Sequence, residues 1–277
     1  HAAIDYELAG DPATRALAVV DGPDGEPMSR YFQLPRTADD LLRRSQLIEA
    51  ATARGATLVV LIKEIGSDAL AALSIVAHDM DRQLGTAVSP RIAALLRRCQ
   101  REDLALCVAQ TDVKGDRGLG PSEQSHPDYY VRVVERRGDG IVVRGAKAHT
   151  SVAVNANEMI VLPTRSLTAA DRDYAVSFAI PIDTPGLKLI ASPYGAATAH
   201  PFERPISSRH RMIETLTIFD DVFVPWERVF LCGEWQYAGP LALTFVEFHR
   251  FTAVSYKLPL VDLLVGAGQL IAEYNGI

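Results

Sequence analysis

The sequence is poor in cysteine, has no cluster of basic residues and carries no signal-like start. Its three cysteines, Cys99, Cys107 and Cys232, form no C-x-x-C pair. That count excludes a disulfide framework and a metal site built on cysteine alone. They read as reduced thiols, small residues of core or surface. A net charge of −6, with no Lys/Arg stripe, argues against nucleic acid as the main partner. The longest apolar stretch, Leu258 to Ala272, is broken by Pro259, Asp262 and Gln269 and reads as too short to span a bilayer. No basic segment leads into an apolar one at the start, so the expected compartment is the cytoplasm, with no membrane partner. No G-x-G-x-x-G follows a strand, and β and α runs do not alternate as in a dinucleotide-binding domain. The chain opens at His1 without Met and stops inside a helical pattern, so both ends read as cut.

What is present is an ordinary globular balance, 48% apolar and 22% charged, in 277 residues, enough for one large domain or two. The first hundred residues read as helical. Thr37, with Asp39 and Asp40, caps a helix that runs to Gly55. A second spans about Leu58 to Leu84 and stops at Gly85. A third begins at Ser89, with Pro90 in its first turn. From Asp103 the pattern turns to strands: Leu104–Ala109, a hairpin across Arg136–Gly140, then Met159–Pro163, Tyr174–Pro181, Leu187–Ala191, Leu216–Phe219 and Val222–Val224. From about Pro240 it is helical again, and Pro259 is expected to kink or break that helix.

Three segments carry polar chemistry. Ala109–Gly118 runs from a strand into a loop of Gln110, Thr111, Asp112, Lys114, Asp116 and Arg117 beside two glycines. Such a loop can cradle an anionic or amide-rich ligand, or it is a polar turn with a local ion pair. Gly140–Ser151 is a strand ending in Lys147, His149, Thr150 and Ser151. The third runs from Pro205–Arg209 through Glu214 to Phe219–Phe230.

On the blocks Thr111–Leu119, Asp139–His149 and Phe230–Gly239, the chain resembles the 4-hydroxyphenylacetate 3-hydroxylase / 4-hydroxybutyryl-CoA dehydratase family of FAD enzymes. The likeness runs from about Ile4 to Ile277. It implies an α+β, acyl-CoA dehydrogenase-like fold. An N-terminal helical domain (1–102) would precede a middle β-barrel or sandwich (103–239) with the flavin loops. Residues 240–277 would begin a C-terminal helical domain, the rest of which is absent. It implies FAD bound by Gln110, Thr111, Asp116, Arg117, Lys147, Thr150 and Ser151, the protein orienting a cofactor that carries the redox chemistry. It further implies a homotetramer or homodimer and a separate flavin reductase.

The dehydratase branch holds an iron–sulfur cluster by three Cys and one His. The aligned positions here are Val60, Glu64, His249 and Tyr256, and Val, Glu and Tyr cannot replace thiolates, so no metal is expected. Ser151, Glu214, His249 and Lys257 match positions used near the substrate and are the candidate catalytic residues. His249 and Lys257, eight apart, share a helix face; His249 lines a pocket with Tyr256 or simply packs against the β domain. The hydroxylase branch binds its phenol with Arg, Tyr and His. Here those positions are Ile65, Ala69 and Val108, which cannot deprotonate a substrate; His149 is a possible substitute base. The leading expectation is a reduced-flavin, two-component monooxygenase acting on a small organic or aromatic substrate. One alternative is a redox-neutral dehydratase or double-bond isomerase of a CoA thioester; the other is a non-catalytic family member.

Overall fold

A computed structural model describes residues 2–55, 62–192, 200, 202–204 and 212–277. Pro205–Arg209 and Val60, named above, fall outside these residues. The N-terminal part holds α1 (Ala2–Gly10), α2 (Arg15–Ala18), α3 (Ala38–Arg54), α4 (Glu64–Leu84) and α5 (Ser89–Glu102). It is not wholly helical: β1 (Val19–Asp21) and β2 (Pro27–Ser29) pair as an antiparallel hairpin. The Gly22-Pro-Asp-Gly25 turn between them was its signal.

The capping box at Thr37 forms as expected. Its hydroxyl accepts from Asp40 N at 3.1 Å, and the Asp40 carboxylate accepts from Thr37 N at 2.9 Å. The start of α5 differs. Its donors are met by Asp81, near the end of α4, which accepts from Val88 N at 2.8 Å, Ser89 N at 2.9 Å and Thr86 Oγ1 at 2.7 Å. Burial alone would raise the Asp81 pKa, but these hydrogen bonds outweigh it and hold the carboxyl at about 2.

The β part is a sandwich of two four-stranded sheets. One orders β10 (Val229–Cys232), β7 (Val176–Pro181), β6 (Glu158–Val161) and β3 (Leu106–Ala109), with β3 and β6 parallel. The other orders β4 (Arg132–Arg136), β5 (Gly140–Ser151), β9 (Glu214–Pro225) and β8 (Leu187–Ser192), all antiparallel. The hairpin expected across Arg136–Gly140 joins β4 to β5. The first sheet is buried on both faces. Cys107, Ala109, Met159, Val161 and Phe178 point into the sandwich, while Leu106, Val108, Ile160 and Ala179 point at the helices. That double burial is why β3 reads as a continuous apolar run. Gly66 lets α4 lie directly on β3, since a Cβ there would meet Leu106 Cβ at 2.1 Å. Cys99 and Cys107 are core residues; burial first of all pushes both thiols up, Cys99 to about 12.

The last element, α6 (Ala238–Tyr274), is 37 residues long and continues through Pro259 without the expected break. Its first half packs on α3 and α4. From Val261 onward nearly all its apolar side chains are exposed, and the helix is long and apolar enough, by length and composition alone, to cross a membrane.

Candidate functional site

The polar loop after β3 is built around a buried charge pair. Lys147 on β5 and Asp112 are 3% and 4% exposed, with Nζ 2.8 Å from Oδ1. Lys147 spends its remaining donors on the carbonyls of Gln110 (2.8 Å) and Leu162 (2.9 Å). Asp112 also accepts from Val131 N at 3.1 Å and from Thr164 Oγ1. Burial lowers the Lys147 pKa despite the Asp112 charge. Three strands and the loop are thus tied to one ammonium, which leaves no proton for a ligand. Lys147, expected at the cofactor, here supports the loop from within, and its partner is Asp112, a loop residue not among the expected cofactor ligands. The signal for it was an acid and a lysine closing the same strand ends.

What this anchor presents is the backbone of Gln110 and Thr111. Thr111 O accepts from Ala148 N at 2.8 Å, while both side chains remain half-buried. Gln110 Nε2 points at Ala242 O of α6, 3.5 Å away, so this edge lies between the sandwich and the last helix. Beyond it, Gly115 takes φ +59, and a Cβ would strike Gln124 Oε1 and the Tyr129 ring at 2.6 Å. Asp116 closes the turn by accepting from Gly118 N at 2.8 Å, the local-turn alternative raised by the sequence. Arg117 is exposed beside it.

At the far end of β5 a bulge between Lys147 and Thr150 puts His149 in the left-handed region at φ 56 and turns it outward. Thr150 is 0% exposed. Its Oγ1 accepts from Thr217 Oγ1 at 3.0 Å, and its carbonyl from Thr215 Oγ1 at 3.2 Å. Its side chain, expected at the cofactor, is here turned inward, where it locks β5 to β9. The next residue does face outward: Ser151 Oγ donates to Glu214 Oε1 at 2.7 Å across the same ladder. Glu214 Oε2 is buried without a hydrogen-bond partner among the described residues. A carboxylate held this way can accept a proton or a ligand hydrogen bond.

A second polar group lies where α3, α4 and α6 meet. Asp68 is fully buried; Oδ1 accepts from Arg44 Nη2 (2.7 Å) and Thr252 Oγ1 (3.0 Å), and Oδ2 lies 3.5 Å from His249 Nδ1. The His249 ring stacks on Phe245, centroids 5.6 Å apart and planes at 4°. Lys257, two turns on, is exposed. Tyr256 is half-buried against both the sandwich and N-terminal cores. Glu64 is fully buried; burial, then the charge of Asp5, pushes its carboxyl to about 8. Ile65, Ala69 and Val108 all sit in the helical core.

Of the sequence candidates, the structure therefore pairs Ser151 with Glu214 and sets Gln110 and Thr111 on one edge. His249 belongs to the separate helical cluster. Arg44 and Asp68 were missed, although each interrupts the apolar face of its helix, a pattern that marks a buried charge.

Residues 1–231 match the family model described as 4-hydroxyphenylacetate 3-hydroxylase N terminal. The chain is 37% identical to the 4-hydroxybutyryl-CoA dehydratase/vinylacetyl-CoA-Delta-isomerase of Clostridium aminobutyricum, over 99% of this chain and 56% of that one. Among solved structures it is similar to an oxygen-tolerant archaeal 4-hydroxybutyryl-CoA dehydratase from N. maritimus, with TM-score 0.89, 33% identity and coverage of 98% and 54%. It is also similar to the oxygenase component of 4-hydroxyphenylacetate 3-monooxygenase complexed with FAD, with TM-score 0.85, 29% identity and coverage of 98% and 56%. The chain spans about half the length of these relatives. The fold is acyl-CoA dehydrogenase-like, a likeness that persists at 14% identity as one of fold alone.

Proposed function

This chain belongs to the 4-hydroxyphenylacetate 3-hydroxylase family, and from that premise we propose that it binds FAD and serves as the oxygenase component of a two-component monooxygenase. The observation that carries the reading is the likeness, over 98% of the chain, to an oxygenase component solved with FAD. The anchored edge of Gln110 and Thr111 fits a flavin: its half-buried amide and hydroxyl are neutral groups suited to the ring's polar rim. Arg117 is proposed to meet the cofactor's charge, and Asp116 holds the turn that carries it. Reduced FAD, delivered by a separate reductase, would supply electrons to oxygen. The chain's own residues would orient the substrate, exclude water and move protons. Ser151 and Glu214 are proposed to do so at the end of β5, and His249 and Lys257 on α6. The substrate is proposed to be a small organic or aromatic molecule. Ile65, Ala69 and Val108, packed in the core, offer it no ionisable partner.

We assign the protein to the cytoplasm as a homodimer or homotetramer. The division into residues 1–102, 103–239 and 240–277 is part of the same proposal. A redox-neutral reaction on a CoA thioester is the second reading, favoured by the 37% identity to the dehydratase and by the Ser151–Glu214 pair, a plausible proton acceptor without oxygen. One experiment separates the two. With FAD, NADH and a flavin reductase, the monooxygenase reading expects oxygen incorporation into a screened phenolic or small organic substrate. If reduced FAD is reoxidised no faster with the protein than without it, and crotonyl- or vinylacetyl-type thioesters exchange protons anaerobically, the second reading replaces it. Absence of both responses supports a non-catalytic member.

A further inference from the structure

We propose that Asp68 is a positioning residue that fixes the tautomer of His249, holding the proton on Nδ1 and leaving Nε2 as the acceptor presented by α6. The inference deepens the assignment of His249 to the site and rests on it.

The geometry assigns each atom one task. Asp68 Oδ1 is occupied by Arg44 Nη2 and Thr252 Oγ1. Oδ2 and His249 Nδ1 are both buried, and neither has a hydrogen-bond partner among the described residues. They lie 3.5 Å apart, longer than a direct hydrogen bond but with no competitor for either atom among the described residues. Catalytic hydrogen bonds in unliganded proteins are commonly long and tighten on binding. A carboxylate only accepts, so contact with a neutral imidazole requires Nδ1–H. The carboxylate is itself held from two sides. Arg44 reaches it from α3, also donating to Ser67 Oγ at 2.8 Å and Tyr31 O at 3.1 Å; Thr252 reaches it from α6, less than one turn from His249. Stacking on Phe245 restricts the ring further. The His249 side chain keeps 30% of its surface exposed while Nδ1 is buried, so exposure falls on the rest of the ring. This is the arrangement by which a carboxylate orients a histidine for proton transfer or ligation.

The test reads the tautomer directly, in the full chain and without substrate. Histidine is labelled with 15N, and long-range proton–nitrogen spectra are recorded at about pH 8.5, roughly two units above the ordinary histidine pKa. His249→Gln identifies the resonances. The wild type is expected to show Nδ1–H with an unprotonated Nε2. Asp68→Asn, whose amide can donate to Nδ1, should invert the pattern; Thr252→Val, which leaves Oδ2 untouched, should keep it. An Nε2–H tautomer at His249 in the wild type overturns the proposal even if Asp68→Asn does not fold, and so does an unchanged tautomer in folded Asp68→Asn. Once a turnover assay exists, Asp68→Asn should lower kcat about 10- to 100-fold with KM within about twofold, the range seen when an orienting partner is lost. Normal turnover despite an inverted tautomer would remove His249 from the reaction and leave the positioning itself intact.

Discussion

Replacing Lys147 by Met tests the anchor on which the Gln110–Thr111 edge is hung. The ammonium is 3% exposed and binds three acceptors, Asp112 Oδ1, Gln110 O and Leu162 O, at 2.8 to 2.9 Å. Methionine fills most of the volume but leaves the Asp112 carboxylate buried with, among the described residues, only Val131 N and Thr164 Oγ1 as donors. Breaking one side of a buried pair costs about 3–5 kcal/mol, because an uncompensated charge remains. That is a large share of the roughly 5–15 kcal/mol that stabilises a typical domain. At about 2–4 °C per kcal/mol for a chain of this size, the melting temperature should fall by roughly 6–20 °C. Denaturant unfolding should show the same loss in midpoint with little change in slope. The companion variant Asp112→Asn combined with Lys147→Met removes both charges and should recover a substantial part of the loss. A cost below about 1 kcal/mol for Lys147→Met, or strict additivity in the double variant, would refute the view that this pair organises the loop.

Three further outcomes follow from the same geometry. Glu64 carries a folded pKa of about 8 against an ordinary 4.5. Its contribution is therefore complete below about pH 4.5 and is lost as pH rises through 8; Glu64→Gln should flatten that fall and gain on the order of a few kcal/mol at pH 8, read from urea melts at pH 5.5 and 8. An unchanged pH slope would show that Glu64 ionises normally in the fold. Asp81 behaves in the opposite sense. With its folded pKa near 2 and an ordinary value of 3.8, its stabilisation is present above about 3.8 and lost as pH falls through 2. Because the group is partly solvated, Asp81→Ala should cost only about 1 kcal/mol at neutral pH, as for other helix caps, with less difference from wild type in acid. Gly66→Ala drives a methyl into Leu106 and should cost about 1–3 kcal/mol by overpacking; Gly66→Ala with Leu106→Ala should regain part of it, and failure to do so would place the strain elsewhere.

The order of elements was legible because burial on two faces makes β3 read as an unbroken apolar run and β6 and β7 as mostly apolar ones, and because Thr37 and Gly85 mark helix ends chemically. Other features were hidden in contacts remote in sequence. Leu216–Phe219 and Val222–Val224 looked like two strands, yet Asp221 adopts φ 53 within a bulge and β9 pairs on both sides of it. Pro259 looked like a break, but one missing backbone donor did not interrupt α6. In the site, residue type was informative and orientation was not. Lys147, Thr150 and Ser151 stand close together in one strand, but only the sheet partners reveal that the first two point inward and that Ser151 faces Glu214. The Asp68–His249 approach joins residues 181 positions apart, on helices separated in sequence by the whole β sandwich, so no local pattern could place them together.

The edge of Gln110 and Thr111, carried by the Asp112–Lys147 anchor, is proposed to receive FAD. The most direct test of this is a titration of the purified protein with FAD, followed by flavin absorbance and fluorescence, in the wild type and in Gln110→Ala with Thr111→Val. Saturable binding at one FAD per chain, with a perturbed flavin spectrum and affinity reduced at least about tenfold in the double variant, for the loss of two hydrogen-bonding groups, is the result expected. Binding that is absent in the wild type, or equally tight in a folded double variant, would contradict it.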